Sequence, residues 1–473
     1  MSSAREIRAL LLVLALASVV AVASARPYAG SWNDGSRLAT VECLVDRHTL
    51  VIDDSLFVAV PDDGTRNPYR GEALENGTLD KLYINGHFYS DKSPVPALLL
   101  AIIYQALQWL FGLNVRLHPE AFCWCMTVLS SGVAYVVAAV CMFRVGLVVG
   151  LPLVWRLVLT ASFGLATIAV IYVQHVNNHI LLLGVAAALM LQAAQLAESS
   201  AWRRVLLLGF LAGLGYTIDL GAGPPLLFCT GLLIVWTCPR RLAAGGLFVA
   251  GSVPWLALHH AVNYAVGGTF GPANAVPEYF NWDGCPFHGA ALTGTWHHES
   301  FADFAVYAVA LLFGKHGFVG HNPALFLLFP ATIFLWGQRS KKPALLLAAA
   351  WCFGTWLIYA VTSRNYSGAC CSIRWFVPLL APAYFALAVI LAQRPRWRAD
   401  FLLLSAWGTV LMSLAWLQGP WDGHMAPGFW PILGAGLLSW MWLPWRRNRQ
   451  KFLVIEREMQ NCRLDETAQN QAA

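Results

Sequence analysis

Residues 86–103, GHFYSDKSPVPALLLAII, place an acid, a lysine and two prolines directly before an apolar run. Asp91 and Lys92 are charged, whereas the residues from Ala97 onward are almost all apolar. Whether this run crosses a membrane or lies at its surface decides on which side every later loop falls. The stretch therefore decides the topology of the whole chain.

The composition is typical of a polytopic membrane protein. The 473 residues are 58% hydrophobic and 12% charged, and the mean hydropathy is +0.56. Apolar runs close to the roughly 20 residues that cross a bilayer recur along the chain, separated by short basic loops. The net charge of +6 comes from Lys and Arg beside these runs, where membrane topology accounts for them. We therefore expect membrane lipids as surroundings and no nucleic acid as a partner.

Basic residues close to the ends of apolar segments predict which loops are cytoplasmic. Between successive basic loops there are usually two apolar segments, as in hairpins that begin and end on one side. This pattern predicts an all-α bundle of about twelve transmembrane helices in the plasma (inner) membrane, with both termini in the cytoplasm. The bundle covers residues 1–445, and a polar cytoplasmic tail follows at 446–473.

One region breaks this count, because three apolar runs lie between Arg8 and Arg144. Three crossings would put Arg144 and all later basic loops outside. We therefore expect residues 95–112 to lie in the outer interface, with Tyr104 and Gln108 on a polar helical face. The alternative is that this run spans the membrane and another segment lies flat. The short run 302–313 is also a candidate for a flat helix.

This topology predicts two large extracytoplasmic loops, at 26–118 and 267–322. The run before the first loop is followed by Ala23-Ser24-Ala25, which resembles a signal-peptidase site. The run is either the first span or a removed signal. Nearly all unusual polar residues fall on the outer face, which we expect to be the active face.

The first loop begins with an acidic and a basic residue close to the membrane. We predict a helix over 36–45, with Asp34 or Ser36 near its N-cap and Arg37 in its first turn. A carboxylate held at the bilayer edge suits a general base or a metal ligand. Capping of the helix is the structural alternative for Asp34.

Lys92 also has two interpretations. A lysine at a membrane boundary commonly lies along apolar surface with its ammonium in water. Pro94 and Pro96, however, restrict the residues before them to an extended conformation. An ammonium presented in this way at headgroup level suits phosphate binding.

Other polar residues on the outer face are candidates for the site. Asn178 and His179 begin a span, where helix capping and substrate contact are both reasonable. Asp219 lies near the end of another span and is a candidate for the same reason. His297, His298 and Glu299 are of the types that metals favour. The sequence therefore indicates a divalent metal ion as the only candidate cofactor, and it does not define a site for that ion.

Several stretches resemble the polyprenyl-phosphate-dependent glycosyltransferases of the GT-C fold. The bacterial members of this family include relatives of the protein O-mannosyltransferases and of the lipid A aminoarabinose transferases. The first loop carries two of these motifs, and three more follow in the bundle. They are NDGSRLATVECLVDRHTLVID (33–53), DKLYINGHFYSDKSP (80–94), YVQHVNNHILLLGVAAAL (172–189), LLFGKHGFVGHNPALF (311–326) and SRNYSGACCSIRWFVPLLAP (363–382).

The resemblance implies transfer of a sugar from a polyprenyl-phosphate-linked donor to an unidentified glycan, lipid or protein acceptor on the extracytoplasmic face. In that case Asp34 is the catalytic residue, as general base toward the acceptor hydroxyl. The substrate-binding residues are then Lys92 and Arg374, which neutralise the departing lipid phosphate, together with Arg37, Asp91, Asn178 and His179.

The chain departs from the family pattern at three places. Gly35 follows Asp34 where many members have a glutamate, so a second carboxylate comes from elsewhere or is absent. Ser93 replaces the first proline of a Lys-Pro-Pro element, and Arg374 follows Ser-Ile instead of Gly-Pro. The alternatives to an enzyme are a transporter or flippase and a non-catalytic protein with the same fold.

Overall fold

The computed structural model describes residues 4–59, 65–70, 77–196, 201–287, 293–335 and 341–442. Within these ranges the chain is mostly helical, as predicted. Eight of the described helices are long and apolar enough to cross a membrane, and four shorter apolar helices accompany them. The number of about twelve spans, the orientation of the termini and the kind of membrane remain predictions. The predicted tail at 446–473 lies outside the described residues.

The helices follow one another with short connections, and a single π-helical turn (Val128–Gly132) joins the fourth to the fifth. Their bounds are α1 (Ala4–Ser24), α2 (Trp32–Asp46), α3 (Pro94–Phe111), α4 (Pro119–Thr127), α5 (Val133–Val148), α6 (Leu153–Leu165), α7 (Ala169–Tyr172), α8 (Asn178–Leu196), α9 (Trp202–Ile218), α10 (Gly223–Thr237), α11 (Arg241–Gly267), α12 (Phe301–Phe313), α13 (Leu328–Leu335), α14 (Lys342–Thr362), α15 (Leu380–Gln393), α16 (Arg398–Gln418) and α17 (residues 429–442). Short 3₁₀ helices lie at Ala273–Ala275, Pro277–Phe280, Pro323–Leu327, Arg374–Leu379 and Pro395–Trp397.

The centre of the bundle is formed by α8 and α15, which are buried along most of their length. Small residues allow close packing around them. On α9, Gly209 and Gly213 face Phe248 and Ser252 of α11, and a Cβ at either glycine would overlap the α11 backbone. This spacing of small residues is typical of helices that pack closely in membranes.

The first loop contains a β-hairpin, the only sheet in the ranges that the structure describes. Strands β1 (Lys81–Ile84) and β2 (His87–Ser90) pair antiparallel, with Lys81 opposite Ser90. Asn85 and Gly86 both have positive φ, as a two-residue hairpin turn requires. The sequence analysis did not predict this hairpin, although Asn-Gly is a strong signal for it. The register brings Asp80 and Asp91 next to each other at the open end.

Helix α2 begins earlier than predicted. Its N-cap is Ser31, and Asp34 stands in the first turn, where its side chain accepts from the Ser31 backbone in a capping box. The predicted start at residue 36 is therefore wrong, because the cap lies before Asp34 and not at it. Arg37 consequently comes one turn into the helix.

Helix α3 begins at Pro94, and Ser93 before it is extended, with φ −53° and ψ 129°. The predicted effect of the prolines on this turn is confirmed. The polar side of α3 packs on α2, since Tyr104 and Gln108 both donate to Asp46. Large apolar side chains on the other side are exposed, among them Trp109 at 79%. The helix is amphipathic as expected, and its position in the membrane interface remains a prediction.

The ends of four elements of the bundle meet at one place. Helix α8 begins at Asn178, α9 ends at Ile218, α14 ends at Thr362, and a 3₁₀ helix begins at Arg374. The open end of the hairpin lies against them, since Ser93 donates to the carbonyl of Thr217 at the end of α9. This convergence encloses the site described next.

Candidate functional site

A cavity of about 470 Å³, called the arginine cavity, lies where these elements meet. It has the size of a small-molecule site. Six of the seven predicted site residues line it, contributed by the first loop, by α8 and by the segment after α14. They are Arg37, Asp91, Lys92, Asn178, His179 and Arg374.

A second cavity of about 530 Å³, called the adjoining cavity, shares a wall with the first. The shared lining includes Asp91, Lys92, Arg374 and Trp375. The remaining lining comes from the first loop, the second loop and the segment after α14, and it comprises one carboxylate together with aromatic and polar side chains. Among these residues are Asp80, Phe280, Phe287, Thr295, His297, Asn365 and Ser367.

Arg37 is almost fully buried, with 4% of its surface exposed. Its guanidinium donates to the backbone and side-chain oxygens of Asn33, at 2.6 and 2.5 Å. Burial lowers its pKa to about 10, and the nearby Arg374 adds to this effect, whereas Asp91 opposes it. Arg37 therefore stays a cation at neutral pH, held on α2 by a neutral partner.

Arg374 lines both cavities. Its backbone N–H donates to Ser367 Oγ at 3.1 Å, and its guanidinium lies 5.7 Å from the ring of Trp421. Its Nε is buried and has no hydrogen-bond partner in the structure. Within the described ranges, neither Arg37 nor Arg374 forms an ion pair with a carboxylate within 4.0 Å. The arginine cavity thus holds two cations that form no direct ion pair, although the carboxylates of Asp91 and Asp219 also line it.

Lys92 is held between two carboxylates, in contrast to the arginines. Its Nζ lies 2.6 Å from Asp80 Oδ2 and 2.7 Å from Asp91 Oδ2. The hairpin register explains this arrangement, because Asp80 and Asp91 flank the paired residues Lys81 and Ser90. Burial raises the pKa of Asp91, and Lys92 only partly offsets the effect. The charge of Lys92 is therefore balanced by its neighbours.

Asp34 does not line either cavity. It is 1% exposed, and it accepts from the N–H groups of Gly30 and Ser31 and from the Ser31 hydroxyl, at 2.7, 2.8 and 2.5 Å. His175 Nδ1 lies 3.3 Å away. Burial alone would raise the pKa of Asp34, but His175, Ser31 and Gly30 together lower it. This geometry favours the capping alternative, and the catalytic role of Asp34 stays a prediction without support from its position.

Steric crowding explains why a glycine, and not a glutamate, follows Asp34. A Cβ at Gly35 would overlap the hydroxyl oxygen and ring of Tyr69. Tyr69 is fixed there, because its hydroxyl donates to the Phe57 carbonyl at 2.9 Å. No side chain fits at position 35, and the carboxylates that line the two cavities are supplied by Asp80, Asp91 and Asp219 instead.

His179 lies beside Asp219 in the arginine cavity. Its Nδ1 is 2.9 Å from Asp219 Oδ2, and both side chains are 4% exposed. The other oxygen of Asp219 accepts from Gly221 N, Ala222 N and Tyr359 Oη. Although burial alone would raise it, His179 and these donors lower the pKa of Asp219 to about 2. Asp219 is therefore a fixed carboxylate at neutral pH.

Helix capping and contact with the cavity are carried out by different asparagines at the start of α8. Asn177 Oδ1 accepts from the backbone of His179 at 2.9 Å, so Asn177 acts as the capping residue. Asn178 lines the cavity and donates to Asp219 Oδ2 at 3.0 Å. Asn178 thus belongs to the network around Asp219.

The metal candidates do not form a common site. In the portion of the chain that is described, no three His, Cys, Asp or Glu side chains are placed to hold a metal ion. His298 lies 2.7 Å from the carbonyl oxygen of Ala360, and Glu299 pairs with Arg364. A divalent metal ion therefore remains a prediction.

Sequence reasoning did not select Asp80, Tyr359 or Trp375, all of which line the cavities. Asp80 had a usable signal, because the Asn-Gly turn predicts that it lies beside Asp91. Tyr359 and Trp375 stack with ring centroids 4.2 Å apart and an interplanar angle of 6°. Nothing local marks them, since they lie on different elements and meet only in the packed bundle.

Known proteins similar to this chain were found by structure only. No protein-family model and no curated protein sequence matches it. The crystal structure of ArnT from Cupriavidus metallidurans bound to undecaprenyl phosphate is 14% identical, with a TM-score of 0.48, and the match covers 90% of this chain and 76% of ArnT. The apo form of that ArnT is 16% identical, with a TM-score of 0.46 and coverages of 92% and 74%.

The archaeal oligosaccharyltransferase AglB from Archaeoglobus fulgidus, in complex with an inhibitory peptide and a dolichol-phosphate, is 13% identical. Its TM-score is 0.47, and the match covers 90% of this chain and 57% of AglB. Both neighbours are GT-C fold glycosyltransferases, the group that the sequence motifs resemble. With TM-scores below 0.5, these likenesses assign no role to any residue of this chain.

Proposed function

We propose that this chain is an integral membrane glycosyltransferase that takes a sugar from a polyprenyl-phosphate-linked donor and passes it to an acceptor hydroxyl on the extracytoplasmic face. The observation that carries the proposal is the pair of arginines in one cavity. Arg37 and Arg374 are cations without a carboxylate partner. Arg37 is buried and Arg374 is half-buried, and a cation removed from water without a direct partner is costly unless an anion binds it.

A phosphate supplies that anion. The planar guanidinium binds phosphate oxygens with two parallel hydrogen bonds. Two such groups also stabilise the negative charge that develops on the phosphate when the sugar leaves, which is a large contribution in a site shielded from water. A membrane protein reaches its lipid-linked donor directly from the bilayer.

Lys92 has a different role in this proposal from that of the arginines. Because Asp80 and Asp91 already bind its ammonium, Lys92 offsets part of the negative charge on the wall that the two cavities share. Without it, two carboxylates would stand beside the donor phosphate and repel it. Asp91 and Lys92 thus contribute to donor binding as a balanced pair.

The direct test is a transfer assay in proteoliposomes. Purified chain is given undecaprenyl phosphate carrying a radiolabelled sugar, together with candidate glycan, lipid and peptide acceptors. Release of undecaprenyl phosphate with transfer of label supports the proposal. Binding of the lipid without release under any acceptor condition would favour a lipid-binding or flippase function, and absence of binding would contradict the phosphate site.

A further inference from the structure

The contacts inside the arginine cavity also bear on which group removes the acceptor proton. Lys92 occupies Oδ2 of Asp91, and the Ser36 hydroxyl donates to Oδ1 at 3.4 Å. Asp219 accepts four hydrogen bonds, from Gly221 N, Ala222 N, Tyr359 Oη and Asn178 Nδ2. Asp34 lies outside the cavity and caps α2. These three carboxylates are therefore engaged in holding the structure together.

His179 is different, because one of its ring nitrogens has neither a hydrogen-bond nor an ion-pair partner among the described residues. Nδ1 lies 2.9 Å from Asp219 Oδ2, within ion-pair distance although outside hydrogen-bond geometry, whereas Nε2 forms no hydrogen bond with any residue that the structure describes. The ring lines the arginine cavity. A carboxylate this close to Nδ1 favours the proton on that nitrogen by charge, which leaves Nε2 as a lone-pair acceptor. The geometry is that of a base and the group that orients it.

We infer that His179 is the general base of the reaction and that Asp219 positions its imidazole. The inference rests on the proposed function and adds to it the identity of the base. Nε2 takes the proton of the acceptor hydroxyl while the hydroxyl oxygen forms a bond to the anomeric carbon. The bond between that carbon and the phosphate oxygen breaks, and its electron pair leaves with the lipid phosphate. The imidazolium then releases the proton to water.

The surroundings of His179 fit this role. Asp219 faces it from the connection between α9 and α10, and Arg374 and Arg37 face it from the other walls. The two arginines hold the leaving phosphate, so the base and the anion site share one cavity. General bases and charge-stabilising groups are both needed around the breaking bond, and this cavity contains both.

The carboxylate that positions His179 accepts hydrogen bonds from two other helices. Tyr359 connects Asp219 to α14, and its ring stacks on Trp375 next to Arg374. Asn178 connects Asp219 back to α8. The imidazole is thereby fixed relative to the arginines, which is what a proton transfer at a defined atom requires.

The test compares His179→Gln and His179→Ala with a control, His118→Ala. His118 is exposed and its side chain makes no capping hydrogen bond. We expect kcat to fall about 100-fold or more in both His179 variants, with undecaprenyl phosphate affinity unchanged. The acid limb of the wild-type pH–rate profile, where the imidazole is protonated, should disappear, and added imidazole should restore part of the activity of His179→Ala.

Asp219→Asn separates positioning from folding. It should lower kcat with the donor KM unchanged, and it should move the acid limb to lower pH, because the carboxylate that favours the imidazolium is gone. A merely structural role would leave the position of that limb unchanged. Wild-type turnover in His179→Gln, or a retained acid limb, would overturn the inference while leaving the proposed function intact. If the wild-type protein itself neither binds the lipid nor turns over, the proposed function is wrong.

Discussion

Arg37 on α2 and Arg374 after α14 face the same cavity, although a large part of the chain separates them, and neither is paired with a carboxylate in the described ranges. The arrangement has a physical cost, since burial and the charge of Arg374 both lower the pKa of Arg37. A bound anion removes that cost. The pair is therefore better explained by a ligand than by stability.

Removing the charge of Lys92 should weaken donor binding indirectly. In Lys92→Met, Asp80 and Asp91 stand unneutralised beside the arginines, and we expect undecaprenyl phosphate affinity to fall about tenfold, which corresponds to about 1.4 kcal/mol. The double variant Lys92→Met/Asp80→Asn restores the local charge and should recover most of the affinity. Isothermal titration in nanodiscs measures both. Equal weakening in the single and double variants would mean that Lys92 contacts the phosphate itself.

Asp34→Asn should reduce stability more than catalysis. The variant keeps a hydrogen-bonding side chain but loses the charge that favours the α2 N-terminus, so we expect a loss of about 1 kcal/mol in the free energy of unfolding. The kcat of the folded fraction should stay within a few-fold of wild type. A folded Asp34→Asn protein that binds donor but does not turn over would restore the catalytic role suggested by the family resemblance.

The pH dependence of the free energy of unfolding should reveal the contribution of Asp34. The pKa of Asp34 is lowered in the folded state from its ordinary value of 3.8. Its contribution is thus present above about pH 4 and is lost as the pH falls through the folded pKa. Thermal melts of wild type and Asp34→Asn should differ at neutral pH and converge in acid. A difference that persists unchanged at pH 2 to 3 would contradict this linkage.

Gly35→Ala tests the steric explanation for the missing second acid. The new Cβ overlaps the Tyr69 hydroxyl and ring, and overpacking of this kind costs about 1 to 3 kcal/mol. Tyr69→Ala removes the obstacle, so the double variant should be less destabilised than the sum of the two single changes. Additive losses would show that the two positions do not clash.

The position of α3 can be tested by labelling. Single cysteines at Leu98 and Gln108, in a background without the native cysteines, should both react with an impermeant reagent added from the outside if α3 lies in the outer interface. Labelling of the two positions from opposite sides would show that the helix spans the membrane, and the predicted orientation of later loops would then reverse.

The sequence predicted the membrane class and several of the charged and polar residues that line the cavity, because composition and short motifs carry that information. Six of the seven selected residues face one cavity. Their relation to one another was not predictable, since Arg374, His179 and Asp91 meet only where helix ends pack. The Lys92 ion pairs follow from the Asn85-Gly86 turn, a local signal that was overlooked. The steric constraint at Gly35 depends on Tyr69, whose position is set by tertiary packing alone.

The most direct measurement is the affinity of the purified protein in nanodiscs for undecaprenyl phosphate and for the uncharged undecaprenol, compared with Arg37→Met and Arg374→Met. Leu98→Met, on a helix outside the cavity lining, is the control. The proposed function predicts that wild type and control bind the phosphate at least tenfold more tightly than the alcohol, and that each arginine variant loses this preference. Equal affinity for the two lipids in the wild-type protein, or a preference unchanged in both arginine variants, would contradict it.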